Sequence, residues 1–184
     1  MQQLGEGAID NPESGWQPLR DRLQKDLYAA GGILPIQMRV VLRQLSSLRS
    51  LTVKAYENEG GVLGVAAQYV AEVADSVAKY ASTDPTTVRG VLRELVNPAD
   101  RSKTRDISLD LLANRCANTL DSTKFGRMLE QLKTEGMLRD RADESGARRW
   151  RLDHDFLALA IEELDRREND IHAFSTNMLK HYEL

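Results

Sequence analysis

The spacing of the apolar residues changes along this chain, and the change limits the folds that the chain can adopt. From 16 to 134, apolar residues mostly recur three or four positions apart, the spacing that lines one face of an α-helix. From 137 to 152 the spacing becomes two, and Trp150 and Leu152 alternate with arginines after a polar turn that contains glycine. Helical spacing then returns near Asp153. The sequence therefore predicts a mainly α fold with one β-hairpin in its second half.

The first half of the chain predicts a small helical bundle over residues 16–82. Pro35 is expected to open one of its helices, because proline suits the first helical turn. The longest apolar stripe of the bundle consists of Val62, Val65, Ala66, Tyr69, Val70, Val73, Val77 and Tyr80. The Ser-Thr-Asp-Pro sequence at 82–85 is a capping and boundary signal. The polar, Gly-rich residues 1–15 predict a flexible lead-in.

The second half of the chain has the element order of a winged helix. Three predicted helices precede the hairpin, which forms a two-stranded wing, and a last helix follows it. Ser108, preceded by an extended Ile107, and Asp121 are the predicted N-caps of the second and third helices. We therefore expect a winged-helix domain over 83–168 and a C-terminal helical tail or linker stub over 169–184.

Charge and composition exclude several functional classes. The formal net charge is −3, so the chain has no overall basic field that would attract nucleic acid or an anionic membrane. Cys116 is the only cysteine, which rules out an internal disulfide and fits a reducing, cytoplasmic location. No secretory signal or membrane-spanning apolar run is present, so no membrane partner is expected. His172 and His181 have no partners at zinc-ligand spacing, so no metal site is predicted.

His154 is the main candidate binding residue, because it lies where the wing ends and the last helix begins. Free backbone N–H groups and the positive end of the helix dipole meet at such a position, which favours an anion. The imidazole of His154 can donate a hydrogen bond to a phosphate. Asp155 is expected to accept from the other ring nitrogen or to cap the helix. Alternatively, Asp153 or Asp155 is only an N-cap and His154 is only an exposed side chain.

The winged-helix pattern also permits DNA binding, and this alternative stays open. The third helix would enter the major groove, and the possible nucleic-acid contacts are Lys124, Arg127, Arg148 and Arg149. Acidic residues nearly neutralise the outward face of that helix, and the basic excess is confined to the wing. Nucleic acid is therefore a less favoured partner, and arginines on a solvated hairpin are the simpler interpretation.

The segment RWRLDHDFLALAI has a His-Asp pair where the last predicted helix opens. This segment is similar to the end of the winged helix in the STAND NTPases, a family of signal-transduction ATPases, and two segments upstream resemble the same family. The matching residues are His154 and Asp155, and Asp153 replaces the methionine that usually precedes them. The resemblance implies that His154 touches the β-phosphate of bound ADP and holds a closed state.

The other two segments lie upstream. AAGGILPIQMRVVLRQL resembles the Gly-Leu-Pro segment of the family's helical domain, which implies that Pro35 packs on the adenine ring. LTVKAYENEGGVLGVAAQYVAEV resembles a pattern of the bacterial novel STAND branch. The order and separation of the three segments agree with that branch from residue 29 to about 168.

The resemblance implies the regulatory half of a STAND ATPase rather than a complete enzyme. The chain contains no G-x-x-x-x-G-K-[ST] loop and no strand that ends in a magnesium-binding aspartate, so it is not an ATPase by itself. We expect a P-loop domain of the same protein before residue 1, a sensor or repeat region after residue 184, and oligomerisation on activation. ADP or ATP would be the cofactor of the parent protein, which the resemblance places in prokaryotic signalling, including antiviral defence. A further alternative is a protein-interaction adaptor.

Overall fold

The computed structural model describes the backbone of residues 16–29, 33–48, 50–116 and 121–182, and the side chains of 16–28, 33–48, 50–116 and 121–175. The predicted lead-in at 1–15 and the side chain of His181 lie outside these residues. The chain divides into two compact units, with the boundary between Glu72 and Val73. The predicted domain boundary at 82–83 stays a prediction.

The described residues form eight helices and three strands, so the fold is mainly helical. The elements, in chain order, are α1 (Gln17–Ala29), α2 (Pro35–Leu45), α3 (Val53–Asn58), α4 (Gly61–Ala81), α5 (Pro85–Glu94), β1 (Ile107–Ser108), α6 (Leu109–Cys116), α7 (Ser122–Thr134), β2 (Leu138–Ala142), β3 (Arg148–Leu152) and α8 (Asp155–Tyr182). The boundary between the two units falls within α4.

The first unit buries one apolar cluster between its helices. Helical spacing along α1 places three leucines on one face, and residues of α2, α3, α4 and the segment before α3 pack with them. The buried members are Leu19, Leu23, Leu27, Val41, Leu45, Leu51, Tyr56 and Val65. Tyr56 is fully buried, and its hydroxyl donates to Oδ2 of Asp26 at 2.9 Å. The cluster therefore includes one polar group, and this group has a partner.

Local capping residues start the helices where the sequence predicts. Asp121 accepts a hydrogen bond from the Lys124 N–H at 2.8 Å, and Ser108 accepts one from the Leu111 N–H at 3.3 Å. Asp84 accepts from the Thr86 N–H at 2.7 Å, so the 82–85 signal does cap a helix. These three predictions are confirmed.

The sheet of the second unit has three antiparallel strands in the order β1-β3-β2, so the predicted hairpin is present as β2 and β3, and β1 adds a third strand that the prediction did not include. Ile107 pairs with Trp150 and Ser108 with Arg149, on the edge of β3 opposite to β2. Ile107 and Ser108 were predicted to be extended. Two residues are too few for a period-two pattern, however, and their partner strand lies far along the chain.

Candidate functional site

The corner between β3 and α8 is held in place on both sides. Leu152 pairs with Leu138 of β2, and the Asp153 N–H donates to the main-chain oxygen of Met137 at 2.8 Å. Beyond the corner, Phe156 and Leu157 of α8 are buried. Only Asp153 and His154 lie between the strand and the helix. The position of His154 is therefore set by the sheet on one side and by a buried helical turn on the other.

His154 is the residue that caps α8. It precedes the first helical residue, and its main-chain oxygen accepts from the Leu157 N–H at 3.0 Å. Its ring Nδ1 accepts from the Phe156 N–H at 3.2 Å. An imidazole nitrogen that accepts carries no proton, so this hydrogen bond assigns the proton of the neutral ring to Nε2. His154 is half-buried, so the ring is not enclosed in the apolar interior.

Asp155 contacts the loop before β1, and neither of its two expected roles is observed. Its Oδ1 accepts from the Thr104 N–H at 2.9 Å, and its Oδ2 lies 3.2 Å from Nζ of Lys103. Burial opposes ionisation, but the Thr104 hydrogen bond and the Lys103 ammonium hold the pKa of Asp155 below its ordinary value. The carboxylate thus stays ionised and fastens the loop to the first turn of α8. His154, rather than an aspartate, caps the helix.

Pro35 is the first residue of α2, as the sequence predicts, and its ring is exposed. The turn before it is closed by the Leu34 N–H, which donates to Oε1 of Gln37 at 2.9 Å. Gln37 is itself buried. Pro35 belongs to the first unit and His154 to the second, and each is positioned by contacts within its own unit. Pro35 therefore offers an apolar surface on a firmly capped helix.

The four possible nucleic-acid contacts differ in their pairing. Arg148 lies 2.8 Å from Glu130 and 3.1 Å from Asp140, and Arg149 lies 3.0 Å from Asp143. Lys124 and Arg127 have no ion pair among the described residues. Phosphate binding by Arg148 or Arg149 would thus compete with carboxylates that are already in contact.

Other candidate chemistry is limited in the part of the chain that the structure describes. Cys116 is half-buried, and burial together with Glu94 raises the pKa of its thiol to about 11. A thiol with this pKa is protonated near neutral pH, which makes it a poor nucleophile. No three His, Cys, Asp or Glu side chains converge as a metal site requires within the described residues. None of the helices described is both long enough and apolar enough to cross a bilayer.

Sequence reasoning missed two polar contacts, the Asp155–Thr104 tether and the Tyr56–Asp26 hydrogen bond. Each joins residues from distant parts of the sequence. Tyr56 is fully buried in the structure, and a buried tyrosine hydroxyl usually has a partner. No residue near Tyr56 in the sequence indicates that its partner is Asp26. Thr104 likewise lies in a loop with no periodic pattern.

Comparison with protein-family models, with curated proteins and with solved structures gives no match for this chain.

Proposed function

We propose that this chain is the nucleotide-state-sensing half of a STAND-type signal-transduction ATPase. One observation carries the proposal. The half-buried imidazole of His154 lies at the N-terminus of α8, and because its Nδ1 accepts from the Phe156 N–H, the proton of the neutral ring is on Nε2. Residues 83–168 would be the winged-helix region. The order of helices α5, α6 and α7, then the β2–β3 hairpin, then α8 supports this assignment. The nucleotide would be ADP, held against a P-loop domain outside this sequence.

In this proposal His154 donates from Nε2 to the β-phosphate of ADP. Nδ1 already accepts from the helix, so the neutral ring needs no change of tautomer to donate from Nε2. The N-terminal end of α8 adds favourable partial charge for an anion. The negative charge of Asp155 would oppose this effect. Its oxygens, however, contact the Thr104 N–H and the positively charged Lys103 and not the His154 ring. Pro35 would form an apolar wall beside the adenine.

The size of the effect follows from the kind of contact. A hydrogen bond to a charged group contributes about 1.5–3 kcal/mol, and about 1.4 kcal/mol is a factor of ten in an equilibrium constant. If the contact exists only in the closed, ADP-bound state, its loss shifts the equilibrium toward the open state by roughly one to two orders of magnitude. Asp155 would not contact the nucleotide. It would only help to position His154, because it holds the loop before β1 against the first turn of α8.

Two substitutions of His154 in the full-length protein separate phosphate contact from helix capping. His154→Ala removes the cap acceptor and the donor. His154→Asn keeps a good N-cap acceptor but lacks the distal ring N–H. Both variants should release a fluorescent ADP analogue about ten- to a hundredfold faster than the wild-type protein. Only His154→Ala should also lower the stability of this chain.

The exposed His172 supplies the control, because it lies on the same helix away from the corner. His172→Ala should leave the release rate unchanged. Unaltered release from both His154 variants would refute the phosphate contact. By itself, this chain should show no ATP hydrolysis and only weak nucleotide binding, since one phosphate contact does not offset the entropy lost on association. Tight ATP binding in calorimetry would contradict this expectation.

A DNA-binding regulator is less well supported, because two of its four predicted contacts are already paired with carboxylates. A gel-shift assay on random duplex separates the two functions. Strong binding with a steep salt dependence would favour DNA binding. Its absence would favour the nucleotide-sensing module.

A further inference from the structure

We propose that the outer face of the three-stranded sheet binds an extended, acidic peptide segment of a partner protein. Four arginines and one serine form this face, which we call the arginine face: Ser108, Arg139, Arg141, Arg149 and Arg151. It involves neither His154 nor Pro35, so the inference stands apart from the proposed nucleotide contact.

Strand register places these arginines on one side of the sheet. Side chains alternate along a strand, and the residues that alternate with the arginines face the other way: Leu138, Trp150 and Leu152 are buried, and the side chain of Asp140 is 14 % exposed. Arg139 lies directly opposite Arg151, and Arg141 lies opposite Arg149. The sheet therefore presents two cross-strand pairs of like charge on its outer face.

The arginine face is only partly neutralised by its own chain. Arg141 lies 2.6 Å from Asp106, and Arg149 lies 3.0 Å from Asp143. The other pair, Arg139 and Arg151, has no ion pair among the described residues. Two guanidinium groups that face each other without a counter-charge destabilise a sheet. Carboxylates from a partner would remove this repulsion and would also suit the planar fork of arginine.

The spacing of the arginine face favours an extended acidic segment. Arginines at every second residue repeat at about 6.8 Å along each strand, and an extended peptide with acidic residues at every second position repeats at the same distance. Single-stranded nucleic acid fits less well, because binders of that kind stack bases on aromatic side chains. The five residues of the arginine face include no aromatic side chain, and Trp150 of β3 points inward and is buried.

The test measures binding of this chain to a short fluorescein-labelled peptide in which glutamate alternates with threonine. Anisotropy should report binding that weakens as salt rises from about 50 to 200 mM. The double variant Arg139→Gln/Arg151→Gln should weaken binding roughly five- to twentyfold. This variant should stay folded, because it removes a repulsion and breaks no ion pair among the described residues, and its melting curve checks this.

Arg127→Gln is the matched control. Arg127 is exposed on α7, off the arginine face, and has no ion pair among the described residues. Its substitution should leave peptide affinity within about twofold of the wild-type value. A peptide whose glutamates form one block should bind more weakly than the alternating peptide. Equal losses in the two variants, equal affinity for the two peptides, or tighter binding of duplex DNA that depends on Arg127 would each overturn the proposal.

Discussion

The hydrogen bond between Tyr56 and Asp26 makes the stability of the first unit depend on one hydroxyl group. Tyr56 is fully buried, and its hydroxyl lies 2.9 Å from Oδ2 of Asp26. Nε of Arg22 lies 3.2 Å from the same oxygen. Tyr56→Phe removes the hydroxyl and leaves the ring, so the apolar packing in the cluster is kept. The variant therefore isolates one hydrogen bond to a charged acceptor.

The expected loss follows from what remains at Asp26. A hydrogen bond to a charged group contributes about 1.5–3 kcal/mol. Asp26 keeps its contact with Arg22 after the substitution, and its side chain is 18 % exposed, so water can reach it. We therefore expect Tyr56→Phe to lower the free energy of unfolding by about 1.5 kcal/mol, near the low end of that range. Tyr56→Ala should cost more, about 3–5 kcal/mol, because it also opens a cavity.

The pH dependence provides a second, independent measurement of the same contact. Burial, and next the hydrogen bond to Asp26, raise the pKa of Tyr56 well above the ordinary tyrosine value of 10.0. Above about pH 10 the unfolded chain therefore releases a proton that the folded chain keeps, and stability falls with rising pH. The slope of this effect approaches about 1.4 kcal/mol per pH unit for one group. Phe cannot ionise, so the gap between the wild-type protein and Tyr56→Phe should shrink above pH 10.

Urea unfolding followed by circular dichroism, at neutral pH and at about pH 11, measures both effects. Tyr80→Phe is the matched control, because Tyr80 is 61 % exposed. This control should change stability by less than about 0.5 kcal/mol. Equal stability of Tyr56→Phe and the wild-type protein at neutral pH, or a gap that does not change at alkaline pH, would refute the reasoning.

Two further predictions concern the second unit. Trp150 is buried and its indole Nε1 has no hydrogen-bond partner among the described residues, so Trp150→Phe should cost less in urea unfolding than Trp150→Ala, which should cost about 3–5 kcal/mol. A loss in Trp150→Phe as large as that in Trp150→Ala would contradict this prediction. The hydrogen bond from Arg166 lowers the pKa of Glu163 to about 2. Burial opposes this shift, and the hydrogen bond from Arg167 adds to it. Because this pKa is depressed, the stabilisation is present above the ordinary value of 4.5 and is lost as the pH falls toward 2, so the stability gap between the wild-type protein and Glu163→Gln should close over that range. A gap that is the same at pH values above and below this range would contradict the assignment.

Local patterns in the sequence were sufficient to predict most of the secondary structure. Asp84 and Asp121 cap helices because a short polar side chain reaches a backbone N–H two or three residues ahead, and this needs no other part of the chain. The alternation around Trp150 predicted the hairpin for the same reason, since its two strands are neighbours in sequence. The apolar residues of α7 recur at helical spacing, and this spacing matches its buried face, which consists of Phe125, Met128, Leu129 and Leu132.

The candidate site was predicted in part. The sequence placed His154 at the corner after the hairpin, and it placed Pro35 at the start of a helix. It did not identify the contact of the imidazole Nδ1 with Phe156, because either aspartate beside His154 is also a suitable cap. Nor did it pair Asp155 with Thr104.

Hydrogen bonds and strand pairs between residues far apart in the sequence were decided by the tertiary structure alone. Ile107 can pair with Trp150 only after the intervening chain has folded. The same holds for the hydrogen bonds of Asp26 with Tyr56 and of Asp155 with Thr104. Helical periods and caps depend on neighbours within one turn, so the sequence alone determined those. A contact across a long stretch of chain depends instead on the packing of every element between its ends, and no short window of sequence contains that information.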